Sequence, residues 1–176
     1  MKTKLFLFSL LPFFFCNFLL AQEPLIYEDV VNVKDSASSE ELYLRAKKWF
    51  AVTYNDAQKV IQLDDRESGV IMGKALIQFN PTVFSGSGLT KGTIDYTIKI
   101  EFRDGRYRYT ITDFIHKAKS DWGLITTSEQ SPIKHQTQRW SDNVWNDIKN
   151  TISMRMNELI NSLKSSMEIG DSDDDW

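Results

Sequence analysis

The side chains that could do chemistry are few, and their spacing argues against most of what they could do. The chain has two histidines, His116 and His135, and one cysteine, Cys16. Asp113 and His116 stand three residues apart, close enough to suggest an acid–base dyad. On a regular strand such residues point to opposite faces, so only a bulge at Phe114 would join them. The spacing predicts instead a solvent-facing histidine near the end of a hairpin. A dedicated metal site needs three or four converging His, Cys or carboxylate ligands, and no HxxxH, CxxC or HExxH spacing occurs. Asp64, Asp65 and Glu67 read as a turn and Asp171–Asp175 as a tail, and neither has the glycine and distal glutamate of a calcium loop. Ser85-Gly86-Ser87-Gly88 has the look of a nucleophile elbow, yet it joins strand to strand rather than strand to helix. No Gly-Lys-Ser/Thr follows it to cradle a phosphate. The expectation is no catalytic residue, no metal and no cofactor.

What remains is a surface, and a hairpin must position it. In Thr93–Lys117, Ile94, Tyr96, Ile98, Ile100 and Phe102 occupy every second position, Asp104-Gly105 follows, and Tyr107, Tyr109 and Ile111 resume the alternation. Alternation marks half-buried strands, and Asp-Gly between two such runs marks a two-residue turn. That turn sets Phe102 against Tyr107, Ile100 against Tyr109 and Ile98 against Ile111. The other face then pairs Glu101 with Arg108, Lys99 with Thr110 and Thr97 with Thr112, with Phe114 beyond them. This second face is rich in threonine and mixed in charge, which suits polar recognition of a protein or glycan. Lys99, Glu101, Arg108, Thr97, Thr110 and Thr112 are therefore the candidate partner-binding residues. Trp140, five residues before Trp145, is the candidate for a second, partner-docking ridge.

The flanking elements follow in order. Leu25–Lys34 reads as a first strand with Tyr27, Val31 and Val33 on one face. Ser38 and Glu41 form a capping box ahead of a helix reaching about Thr53. Its spacing buries Leu42, Ala46, Trp49 and Phe50 and leaves Arg45, Lys47 and Lys48 largely outside. Lys59–Asp64 and Val70–Phe79 are strands, and Asn80–Gly92, which holds Phe84 and Leu89, is a loop. After the hairpin a polar connection runs from Ala118 to about Gln136. Val144, Ile148, Ile152, Met156, Leu159 and Leu163 then define an amphipathic helix from Thr137 or Ser141 to about Ser165. The result is one α+β domain over 22–168, ordered β-α-β-β-β-β-α, with a bent antiparallel sheet and two helices on one face. An acidic tail, 169–176, follows.

The chain opens with Lys2 and Lys4, an apolar run from Leu5 to Leu20, and Ala21-Gln22, the pattern of a secretory signal peptide over 1–21. Phe15 before Cys16 argues against a lipid-bearing cysteine, and cleavage would remove Cys16, so no disulfide holds the domain. The acidic excess, 24 against 21 basic residues, opposes binding to nucleic acid or anionic lipid. No stable membrane insertion is expected once the signal is cleaved.

The order of elements, the exported start and the YTIKIEFRDGRYRYTITDF hairpin resemble a bacterial family of secreted domains of unknown function with a TATA-box-binding-protein-like fold. The resemblance covers about Ile26–Ala118 and implies fold and location, with no functional residue carried over. The reading is an exported, non-enzymatic binding or accessory domain of the cell envelope, periplasmic or extracellular. The rival is an envelope hydrolase whose catalytic residues converge from loops, which a deep pocket with two or more shifted titratable groups would mark.

Overall fold

The computed structural model of the chain describes residues 23–82 and 87–168. The expected signal segment, the acidic tail and Phe84 lie outside the described residues. Ten elements follow one another: β1 (Tyr27–Asn32), α1 (Ser39–Thr53), α2 (Ala57–Val60), β2 (Ile61–Asp65), β3 (Val70–Phe79), α3 (Ser87–Thr90), β4 (Gly92–Arg103), β5 (Arg106–Lys117), β6 (Gly123–Leu124) and α4 (Gln138–Glu168). The strands form one antiparallel sheet in the order β1-β5-β4-β3-β2, with β6 paired to β5.

The β4–β5 hairpin is the centre of the sheet because its alternating residues can be buried on one face only. Its register is the one that the Asp104-Gly105 turn dictates: Phe102 faces Tyr107, Ile100 faces Tyr109, Ile98 faces Ile111 and Glu101 faces Arg108. Gly105 holds φ +73°, which a glycine adopts without a Cβ clash. At the far end Gly92 starts β4 against Phe79, where a Cβ would lie 1.9 Å from the Lys117 carbonyl oxygen. Only glycine lets the strands close there.

Beyond Thr112 the alternation inverts. Between the pairs Thr97–Thr112 and Asp95–Ile115, β5 carries two residues, Asp113 and Phe114, against Tyr96 alone on β4. Asp113 takes φ +57° in this β-bulge, a left-handed conformation that aspartate tolerates better than most residues. The extra residue flips every later side chain to the opposite face. Phe114 and His116, expected outside, are both fully buried, whereas Ile115 is 36% exposed. The bulge exists, but it does not make the dyad: Asp113 remains on the exposed side and His116 is inside. His116 Nδ1 accepts from the Trp122 backbone N–H at 3.2 Å, so Nε2 is the protonated nitrogen and donates to the Thr90 carbonyl at 2.9 Å. This is a neutral, structural histidine.

α1 and α4 cover one face. Ser38 caps α1, its Oγ accepting from the Glu41 N–H at 3.2 Å. Leu42, Ala46, Trp49 and Phe50 are buried, as are Ile148 and Ile152 of α4. Arg45 departs from expectation, being only 6% exposed rather than outside. Its guanidinium binds Glu41 and Asp35 and donates to the Met167 carbonyl at 2.5 Å. That carbonyl belongs to the last turn of α4, whose orphan acceptors need donors from elsewhere. The helical spacing sorted Arg45 by its charge, and the helix end it serves lies 122 residues away.

Two expected boundaries also move. α2, capped by Asp56, occupies Ala57–Val60, so β2 begins at Ile61 rather than Lys59. The polar connection 118–136 is partly buried. It contains β6 and buries Trp122, Ile125 and Ser131, with Trp122 Nε1 donating to Ser131 Oγ at 2.9 Å.

Candidate functional site

With α1 and α4 on one face, neither of these long helices covers the other face. The register arranges its residues in rows that cross the strands. One row runs Leu63, Met72, Lys99, Thr110, Glu28, and the next runs Val70, Glu101, Arg108, Val30. Glu101 is the hub where they meet. It pairs with Lys99 at 3.0 Å and with Arg108 at 2.9 Å. Partial burial pushes the Glu101 carboxyl up, but the hydrogen bonds and charges of Lys99 and Arg108 outweigh this and hold it below the usual carboxylate range. Thr110 donates to Glu28 at 2.8 Å. Thr97 is nearly buried at 9% exposure, and Thr112 is half-buried. Four of the six sequence candidates, Lys99, Glu101, Arg108 and Thr110, thus stand together on accessible ground. Thr97 and Thr112 sit low between the strands.

The alternation reading missed the apolar content of this face. Val30, Leu63, Leu76, Ile115 and Leu124 are between 36% and 54% exposed. Leu76, Asp95, Ile115 and Leu124 form a single row across four strands. Ile115 joins that row only through the bulge, and no local pattern announces it.

The row ends at an edge. β2 pairs with β3 only from Val70 to Gly73, so among the described residues no strand lies on the outer side of Lys74–Phe79. Hollows flank this free edge on both sides of the sheet. One, of about 850 Å³, is lined by Lys74, Leu76, Asp95, Asp113 and Ile115 and curls round the edge to Tyr54 and Tyr96. The other, of about 510 Å³, lies between the edge and α4, with Ile77, Met156 and Leu159 in its wall. They share Tyr54, Leu76 and Tyr96. The hydroxyls of Tyr54 and Tyr96 are 3.1 Å apart. Burial pushes both up from the ordinary phenol range, so neither serves as a base at neutral pH.

Trp140 is half-buried rather than projecting. Its ring packs on Trp122 with centroids 5.7 Å apart and edge-on to His135 at 6.4 Å, while Trp145 is fully buried. Among the described residues, no group of three or more His, Cys, Asp or Glu is placed to hold a metal, and no helix is long and apolar enough to cross a membrane.

Residues 27–117 match the model of a domain of unknown function (DUF4468) with TBP-like fold. A TBP-like protein from Parabacteroides distasonis superposes with a TM-score of 0.54 at 12% identity, over 80% of this chain and 93% of that one. A DUF4468 family protein from Bacteroides ovatus does so at 0.54 and 14%, over 85% of this chain and 89% of that one. At such identities the likeness concerns the fold alone. No curated protein sequence matches the chain.

Proposed function

The chain belongs to the DUF4468 family of domains of unknown function with TBP-like fold, and from that premise we propose that it is an exported, non-enzymatic binding domain of the bacterial envelope. Its partner is a protein that adds an extended strand to the free edge of β3 and rests neighbouring side chains on the open sheet face. The observation that carries this reading is the unpaired edge Lys74–Phe79 between two hollows. Strand addition needs that combination: backbone groups give affinity, and pockets on alternate sides take alternate side chains. The apolar wall of Met156 and Leu159 suits apolar side chains, and Lys99, Glu101, Arg108 and Thr110 suit polar ones. The wide opening of these hollows favours binding over hydrolysis. Export rests on the Lys2–Ala21 pattern, and the intact mass of protein released from the cell should correspond to a chain starting at Gln22.

A photo-crosslinking residue at Leu76, compared with one at Val52, tests the docking surface in envelope extracts. Val52 is 88% exposed on α1 and makes a matched control on the helix side. A discrete adduct from position 76 and none from 52 supports the reading. Adducts from both positions alike, or from neither, overturn it.

A further inference from the structure

Beyond the β3 edge, the other end of the sheet carries a charge arrangement that the fold does not require. Arg103 and Arg106 flank the Asp104-Gly105 turn directly opposite each other, both exposed. Like charges in a direct cross-strand pair destabilise a sheet. Neither forms an ion pair among the described residues, and Arg108 follows two residues on along the same face. Arg103, Arg106 and Arg108 line a hollow of about 260 Å³, with Val30, Glu101 and Tyr107 also in its wall. Glu101 is already engaged: it holds Arg108 and Lys99 and so fixes Arg108 in place. An acidic chain that places three arginines within six residues, and leaves two of them facing each other without an ion pair, concentrates positive potential at one spot. The residue type matters as well. A planar guanidinium fork matches the two oxygens of a carboxylate or phosphate, where a lysine offers only a point charge.

The geometry points to an oxyanion site at the hairpin tip. A carboxylate or phosphate group lies between Arg103 and Arg106, with Arg108 as the third positive neighbour. Val30, 50% exposed, supplies an apolar contact for whatever carries the anion. Arg103 and Arg106 stand apart from strand addition at β3, since neither lines the β3 hollows; Arg108 is shared with the open face.

The test titrates the protein with hexanoate, hexanamide and inorganic phosphate at constant ionic strength, following backbone amide chemical shifts. Saturable shifts confined to Val30 and Arg103–Arg108 are expected with hexanoate or phosphate, and none with hexanamide. The tighter of the two anions identifies the class of head group. Arg103→Gln/Arg106→Gln should weaken that binding about tenfold or more, the loss of a charge-assisted hydrogen bond. Arg155→Gln, at an exposed site on α4, should leave it unchanged. A second readout separates ligand binding from structure: Arg103→Gln should raise the melting midpoint in low salt, because it relieves the cross-strand repulsion. The proposal is overturned by any of three results. These are anion shifts spread over all basic positions, binding that survives in the double variant, or a melting midpoint that falls in Arg103→Gln.

Discussion

The two faces of the β4–β5 ribbon are built from neighbouring residues and hold together by different physics. On the covered face Ile98, Ile100 and Ile111 are fully buried beneath the helices. On the open face Lys99, Glu101 and Arg108 make ion pairs whose two cations are 41% and 47% exposed. Burying an aliphatic side chain is worth roughly 1.5–3 kcal/mol, whereas an exposed ion pair is worth about 0–1 kcal/mol. Stability is therefore concentrated on one face. The other is free to be shaped by what it meets, and the β-bulge at Asp113 decides which residues of β5 belong to which face.

The sharpest way to break that comparison is at the bulge itself. Phe114 and Ile115 are adjacent, and simple alternation from Ile111 would bury Ile115 and expose Phe114. Phe114→Ala should cost about 3–5 kcal/mol in denaturant unfolding, as for a large core deletion. Ile115→Ala should cost less than about 1 kcal/mol, as for an exposed position. A reversed order would mean that the two faces are wrongly divided. Next in size, Ile98→Ala should cost about 2–5 kcal/mol, and Lys99→Ala, one residue on, under about 1 kcal/mol.

A smaller effect comes from placing a β-branched residue at the bulge. Asp113→Val at φ +57° should cost about 1–3 kcal/mol, and Asp113→Gly should be tolerated, when both are compared by melting. The pH dependence of stability gives a further test of the inverted half of β5. Burial pulls the His116 pKa below its ordinary 6.5, with His135 adding to the shift and the Thr90 carbonyl and Asp121 opposing it. The unfolded chain therefore takes the proton first. The contribution of His116 is complete above about pH 6.5 and is lost as pH falls through the depressed folded value. Between about pH 7 and pH 5, wild type should lose more stability than His116→Gln, a variant that cannot titrate there. Equal slopes would return His116 to solvent.

These variants also mark where the sequence is legible. From Arg103–Arg106 back to Thr97–Thr112 every cross-strand pair could be read, because a two-residue turn fixes register and alternation fixes facing. The reading fails at Asp113, where one added residue leaves the composition unchanged and inverts everything after it. Trp122 was hidden for a related reason: it lies in a polar stretch and packs on His116, which the bulge turns inward and which packs in turn on Phe79. Arg45 was misplaced because one of its acceptors is the end of another helix, distant in sequence. On the candidate site, Lys99, Glu101, Arg108 and Thr110 were legible from parity. The β3 edge was not, since it depends on how far β2 extends alongside β3.

One face holds the fold, and the open face together with the free β3 edge holds the partner. This division is tested most directly by measuring melting and partner capture together for two variants, Ile98→Ala and the charge reversal Lys99→Glu/Arg108→Glu. Ile98→Ala should melt well below wild type, yet below its own midpoint it should still yield the adduct formed through position 76. The charge reversal should melt within a few degrees of wild type and lose the adduct. Should the charge reversal keep the adduct at wild-type yield while remaining folded, the open face is solvated surface and the account is wrong.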